Sequence, residues 1–255
     1  MIGKRKLHEV CWINVVTTEL DKAEKFFGQL LGWTYADGVL GGHSIQVGGL
    51  PAGALMDQAV CPPEVPVSIG IMIKVANAEE TVAQVIALGG RAEPVFDVME
   101  NGCLANCTDP NGGVFAVWQP LSKDGAECDT QAPSAPTWFE TLTTDLDVAV
   151  EFYTKLFGWT GVAQDSIPGM HYTVFEQGGV PVAGAMRLMP DKVGTIRPHW
   201  ATYFAVTDVD ATASKAQALG GALCMGPHDI PRVGRFTLLQ SPQGVSFHAI
   251  KFVDG

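Results

Sequence analysis

Residues 12–34 read WINVVTTELDKAEKFFGQLLGWT, and residues 138–160 read WFETLTTDLDVAVEFYTKLFGWT. The two stretches align without a gap, position 12 against position 138, an offset of 126 residues. Eleven of 23 positions are identical, among them the leading Trp, Thr-Thr, Leu-Asp and the closing Gly-Trp-Thr. A repeat this long means two copies of one domain, because solenoid units run to roughly 20–50 residues. It also permits a comparison within one chain: what both copies keep reads as scaffold, and what they do not share is where function can lie.

Each copy divides again. An apolar run (10–16 in the first) precedes Thr18 with Asp21, matched by Thr144 with Asp147, which resemble capping boxes. Apolar residues then recur at helical spacing: Leu20, Ala23, Phe26, Phe27, Leu30 and Leu31, matched by Leu146, Ala149, Phe152, Tyr153, Leu156 and Phe157. Gly32 and Gly158 are placed to stop these helices. Short strands follow, ending in GGLPAGALM (48–56) and GGVPVAGAMRL (178–188). The plan then restarts, with strand 67–75 into helix 78–88 and strand 200–206 into helix 209–219. Each half closes on a turn and a last strand, DPNGGVFAVWQ (109–119) or SPQGVSFHAIKF (241–252). Every copy thus reads β-α-β-β-β twice. Residues 122–136 are polar and aperiodic, so the expected division is domain 1 at 1–121, a linker at 122–136 and domain 2 at 137–255.

The 255 residues are 47% hydrophobic and 17% charged, as in a packed globular chain. A formal net charge of −11 argues against nucleic acid or an anionic membrane as partner, since both demand clustered Lys and Arg. No apolar run approaches the roughly 18–20 residues of a membrane span, and MIGKRKLHEV lacks a signal-peptide core, so a cytoplasmic location is expected. The cysteines at 11, 61, 103, 107, 128 and 224 occupy no equivalent positions in the repeated segments, which suits reduced thiols. Cys103 and Cys107 would share one strand face and read as core.

With FF…LLGW and FY…LFGW behind the first strands and DPNG or SPQG before the last, the chain resembles the vicinal oxygen chelate superfamily, the glyoxalase, bleomycin-resistance and extradiol-dioxygenase group. Its openings and endings are similar to those of two-domain, glyoxalase-like bacterial proteins, with copy two the better fit. The resemblance implies an α+β fold of tandem domains: four βαβββ modules forming two curved eight-stranded mixed sheets, each cupping a cleft. It also implies a divalent metal, held seven residues before the acidic residue that opens each helix and on each last strand. Those places hold Trp12, Gly70 and Ala116 in copy one, and Trp138, Ala201 and His248 in copy two. Only His248 can coordinate, and a divalent ion needs three or four donors, so no metal or other cofactor is expected at the usual position.

If the family's ligand face is the cleft face, strand alternation aims Trp138, Glu140, His199, Tyr203, Ser246 and His248 into one cavity. Arg235 and His171 are additions from neighbouring strands. Copy one offers Trp12, Asn14, Gly70, Met72, Val114 and Ala116, none titratable. Chemistry is therefore expected in copy two, with Glu140, His248 and Tyr203 as catalytic candidates and Trp12, Asn14, Trp138, His171, His199 and Arg235 as substrate-binding ones. Structural readings stand beside these: Glu140 ion-paired with Arg235, His248 as a bonded core histidine, and His171 and His199 as surface loop residues. Three functions fit: a metal-independent lyase or isomerase acting next to a carbonyl, a module that sequesters an aromatic small molecule, or a metalloenzyme using His171, His199, Glu140 and His248. The partner in each case is a small molecule, and the two-domain chain is expected to be a monomeric pseudo-dimer or a weak homodimer.

Overall fold

The computed structural model describes residues 5–61, 65–164, 170–189 and 196–253. Domain 1 is built from β1 (Val10–Thr17), α1 (Leu20–Leu31), β2 (Thr34–Asp37), β3 (His43–Val47) and β4 (Leu50–Asp57), then β5 (Ser68–Lys74), α2 (Ala78–Ala87), β6 (Arg91–Ala92), β7 (Phe96–Val98), β8 (Gly102–Thr108) and β9 (Val114–Pro120). Domain 2 repeats the order with β10 (Pro136–Thr143), α3 (Leu146–Phe157), β11 (Thr160–Gln164), β12 (Tyr172–Gln177) and β13 (Val180–Arg187), then β14 (His199–Ala205), α4 (Val209–Ala218), β15 (Ala222–Ile230), β16 (Gly234–Gln240) and β17 (Ser246–Phe252).

The sheets run β2-β3-β4-β1-β5-β9-β8-β6 and β11-β12-β13-β10-β14-β17-β16-β15. Within each, the two first strands lie side by side and antiparallel, while the pairs β1–β4, β5–β9, β10–β13 and β14–β17 are parallel. The sheets are mixed as expected, except that the first gains a ninth short strand, β7, on β8. No helix among the described residues is long and apolar enough to cross a membrane.

The helices follow the repeat, with two corrections at their starts. α1 and α3 end on Gly32 and Gly158 in the left-handed conformation (φ 73° and 69°), where a side chain would be strained. Their N-caps fall one residue after the threonines: Asp145 accepts from the backbone of Asp147 and Val148, and Glu19 makes no side-chain cap. In α3 the short Asp145 carboxylate reaches the free N–H groups directly, leaving Thr144 no such role.

The two domains share one apolar cluster. Phe27 of α1 packs against Phe247 of β17 with ring centroids 5.4 Å apart, and Tyr153 of α3 packs against Phe115 of β9 at 5.7 Å. A buried polar link crosses the same interface: Tyr153 donates to Asp109 Oδ2 (2.9 Å) and accepts from the indole of Trp200 (2.9 Å). Residues 121–135 are a packed connector. Ala126 N donates to Cys11 O and Ser134 N to Ala205 O, and Cys128 and Ala135 are buried. Of the two strand thiols, Cys107 is core but Cys103 is half-exposed at the strand end, bonded to Asp97.

Candidate functional site

Sheet register builds the site in domain 2. Glu140 on β10 faces Gly184 of β13 on one side and Ala201 of β14 on the other; Trp138 faces Tyr203, and Tyr203 faces His248 of β17. Because side chains alternate, all of these point to one face of the curved sheet. Trp138, Leu142, Phe236, Phe252, Ala201, Tyr203 and Ile250 make the apolar wall there.

Glu140 is 4% exposed. Tyr203 donates to its Oε1 at 2.7 Å, the Tyr172 hydroxyl also bonds it, and Tyr172 in turn accepts from the Trp138 indole at 2.9 Å. Burial pushes the carboxyl above the usual range, opposed only in part by the hydroxyl donors, and no cation pairs with it among the described residues. The same burial and the adjacent carboxylate raise Tyr172 and Tyr203, keeping both phenols protonated donors. His248 stacks on Tyr203 with centroids 4.2 Å apart, and its Nδ1 is buried without a partner among the described residues. Desolvation lowers its pKa to about 3, so the ring is neutral at physiological pH.

Most of the residues expected in the cleft line the same cavity: Trp138, Glu140, His199, Tyr203, Ser246 and His248. His199 and Ser246 are exposed, and His199 Nδ1 lies 2.8 Å from the Arg197 carbonyl. Two expectations fail. Arg235 projects from the opposite face of β16, since Phe236 takes the cavity side, and its guanidinium is held by Asp210 and Asp229 rather than Glu140. His171 is exposed outside the cavity, because its neighbours Met170 and Tyr172 are the ones turned inward. Tyr172, the neighbour of His171 in the Gly-Met-His-Tyr stretch, is the side chain in contact with Glu140 that the sequence reading missed.

Gly184 explains how Tyr172 reaches the site. A Cβ there would lie 2.0 Å from the Tyr172 hydroxyl and 3.3 Å from Glu140 Cβ, so the phenol occupies the space a side chain would need.

Domain 1 repeats the cup without a counterpart of the Glu140, Tyr203 and His248 set. Trp12 faces Met72, Asn14 faces Gly70, and Met72 faces Ala116 of β9. Met72, Val98, Ala116 and Trp118 pack with Trp12 and Leu104. Residues of both cups line one cavity of about 2530 Å³, well beyond the roughly 300–1,000 Å³ of a drug-sized pocket.

The description "Glyoxalase/Bleomycin resistance protein/Dioxygenase superfamily" matches residues 136–249. "Putative glyoxylase CFP32" of Mycobacterium tuberculosis is 35% identical over 94% of this chain and 93% of its own. "Anthracycline biosynthesis protein DnrV" of Streptomyces peucetius is 31% identical over 96% and 93%. Among solved structures, the Mn(II)-bound glyoxalase from Novosphingobium aromaticivorans superposes with a TM-score of 0.67 at 15% identity, over 98% of this chain and 83% of that one. The 2,3-dioxygenase LapB from Pseudomonas gives 0.63 at 12% identity, over 98% and 93%. The chain belongs to the glyoxalase/bleomycin resistance/dioxygenase superfamily, as a tandem two-domain member.

Members of this superfamily often bind a divalent metal, and the donor set here does not fit one. The coordinating seats carry two indoles, a glycine and two alanines, leaving His248, whose ring packs on Tyr203 and Phe236. Among the described residues no three His, Cys, Asp or Glu side chains gather as a ligand group. The set His171, His199, Glu140 and His248 is not assembled either, since His171 is exposed outside the cavity and no three of these side chains gather as a ligand group among the described residues.

Proposed function

We propose that the chain is a small-molecule enzyme whose domain 2 cup moves a proton next to a carbonyl, as a lyase or isomerase working without a metal. One observation carries this reading: Glu140 is a buried, cation-free carboxyl hydrogen-bonded to Tyr203, with Trp138 beside it and a cavity in front. Desolvation raises the carboxyl's basicity, as a general base working near neutral pH requires.

In the proposed step Glu140 takes a proton from the carbon next to the carbonyl, and the electron pair moves onto the carbonyl oxygen. Protonation of Glu140 weakens its hold on the phenol donors, so Tyr203 and Tyr172 can turn their hydroxyls toward that oxygen. The neutral His248 ring offers a further uncharged polar contact. Return of the proton to a different carbon completes an isomerisation; expulsion of a leaving group completes a lyase reaction. Trp138, Phe236 and Phe252 favour an aromatic substrate, and the names of DnrV and its Streptomyces counterpart DauV support a polycyclic aromatic carbonyl compound.

The test is deuterium exchange in heavy water, followed by NMR on a panel of tetralones and aryl alkyl ketones that carry a C–H next to the carbonyl and raise the melting temperature. Exchange next to the carbonyl is expected, slowed at least about 100-fold by Glu140→Gln. Tight binding with no exchange, undiminished by Glu140→Gln, would instead mark a sequestering protein, a reading that the Trp-walled apolar cavity also supports. A monomer by light scattering is expected, because the second domain already supplies the partner surface.

A further inference from the structure

We infer that the cup of domain 1 is a second ligand compartment, built for an uncharged planar molecule and separate from the chemistry assigned to domain 2. The argument starts from the seats where the superfamily places coordinating side chains. In this cup they hold Trp12, Gly70 and Ala116, and two of the three are the smallest residues available. A Cβ added at Gly70 would meet only the Asn14 carbonyl, at 3.9 Å, so open space lies over that position. The room that an ion and its ligands would fill is left to an occupant of another kind.

The lining defines that occupant. Trp12 and Trp118 supply aromatic surface, while Met72, Leu104 and Val98 supply flexible or branched apolar surface. Flat π-faces favour a planar guest, and a thioether adapts to its outline. Of the cup-facing positions of β1 and β5, Asn14 and Ser68 bring uncharged polar side chains to the cavity while Lys74 is tied to Asp124, and the Asn14 amide donates only to the Met72 sulfur at 3.4 Å. A thioether is a weak acceptor, so a carboxamide with capacity for several bonds is left underused and can meet a carbonyl or hydroxyl of the guest. The charged residues that reach the cavity from domain 1, Asp37, Arg91, Glu93, Lys123 and Glu127, are all exposed. A guest bearing a full charge would lose its hydration here without a buried counter-ion. The compartment therefore takes a neutral planar molecule with one or two oxygen functions.

Nile red, an uncharged planar dye with a single carbonyl, is the probe, titrated by fluorescence against the full chain. Saturable binding is expected, surviving Glu140→Gln and weakened at least about tenfold by Gly70→Phe, which fills the space, and by Asn14→Asp, which puts a charge in it. Thermal melting checks that each variant is folded. Asn14 is half-buried and faces open space, so Asn14→Asp decides the matter should Gly70→Phe fail to fold. Absence of saturable binding, or titrations of the folded variants that superimpose on the parent, would overturn the inference. Because Glu140→Gln and deuterium exchange report only on domain 2, loss of one proposal leaves the other standing.

Discussion

The indole of Trp33 donates to the carbonyl of Ser134 at 2.9 Å, and Trp159 makes the twin bond to the carbonyl of His8 at 3.1 Å. The repeat offset of 126 relates both the donors and the acceptors. Both acceptors also adopt the left-handed backbone, φ 72° at Ser134 and 64° at His8, just ahead of the first strand of each domain. Each domain thus grips the other's entry turn, the reciprocal contact of an isologous dimer closed within one chain.

The first prediction follows from that reciprocity. Trp33→Phe keeps most of the ring packing against Phe27 and Phe204 but leaves the Ser134 carbonyl without its donor. The expected loss is about 1–3 kcal/mol in urea denaturation. Trp159→Phe should cost a similar amount, and the double variant should be nearly additive, since the two bonds share no partner. A cost for one and none for the other would mean that the pseudo-symmetry is geometric but not energetic.

The buried carboxyl makes a prediction with a definite sign. Glu140 has a raised pKa in the folded chain, so the native state holds its proton more tightly than the unfolded state, whose pKa is about 4.3. Its contribution to stability is therefore fully present below that value and declines as pH rises through the native pKa. Glu140→Gln, which still accepts from Tyr203, should remove this decline and be at least as stable as the parent at neutral pH while losing exchange activity. Urea midpoints at pH 5 and pH 8 check it; a variant that is markedly less stable at both would make Glu140 a structural residue.

These side chains also mark where the sequence was readable and where it was not. The 3.6-residue period of α1 and α3, their glycine stops and the repeated strand order are written locally, so the four modules follow from the sequence, and the inward set on β10, β14 and β17 follows from alternation once the family resemblance picks the cleft face. Alternation cannot choose a phase where a strand's start is hidden. That is why His171 was expected in the site and its neighbour Tyr172 was not. Arg235 illustrates the second limit: opposite charge suggested Glu140 as its partner, but β16 turns it outward to Asp210 and Asp229. Long-range partners of this kind depend on register, and no local period encodes register.

His248 predicts acid lability. Its pKa of about 3 in the folded chain lies below the unfolded value of about 6.5, so the native state binds fewer protons across that window. The sign is opposite to that of Glu140: stability is lost as pH falls below about 6.5, and the loss ends only near pH 3. Over that range the penalty reaches roughly several kcal/mol. His248→Phe, which keeps a ring against Tyr203, should be less sensitive than the parent between pH 6 and pH 4. Equal acid midpoints for the two proteins would show that other groups control acid unfolding.

Gly184 and Tyr172 supply the last prediction, because the site depends on a contact that no side chain larger than hydrogen permits. In Gly184→Ala the new methyl would sit 2.0 Å from the Tyr172 hydroxyl, and the tip of the phenol must swing away. The ring end is the movable part, so the fold should survive at a cost of about 1–3 kcal/mol. The bonds from the Trp138 indole to Tyr172 and from Tyr172 to Glu140 should be lost with the movement. With one donor fewer, the carboxyl's pKa rises further, so the acidic limb of the activity, where the base loses its proton, should move to higher pH than in the parent. Tyr172→Ala in the Gly184→Ala background relieves the clash, and the cycle should show a coupling of about 0.5–3 kcal/mol in stability. Strict additivity, together with an unmoved pH profile in Gly184→Ala, would mean that Tyr172 merely fills space above β13 and does not set the Glu140 proton.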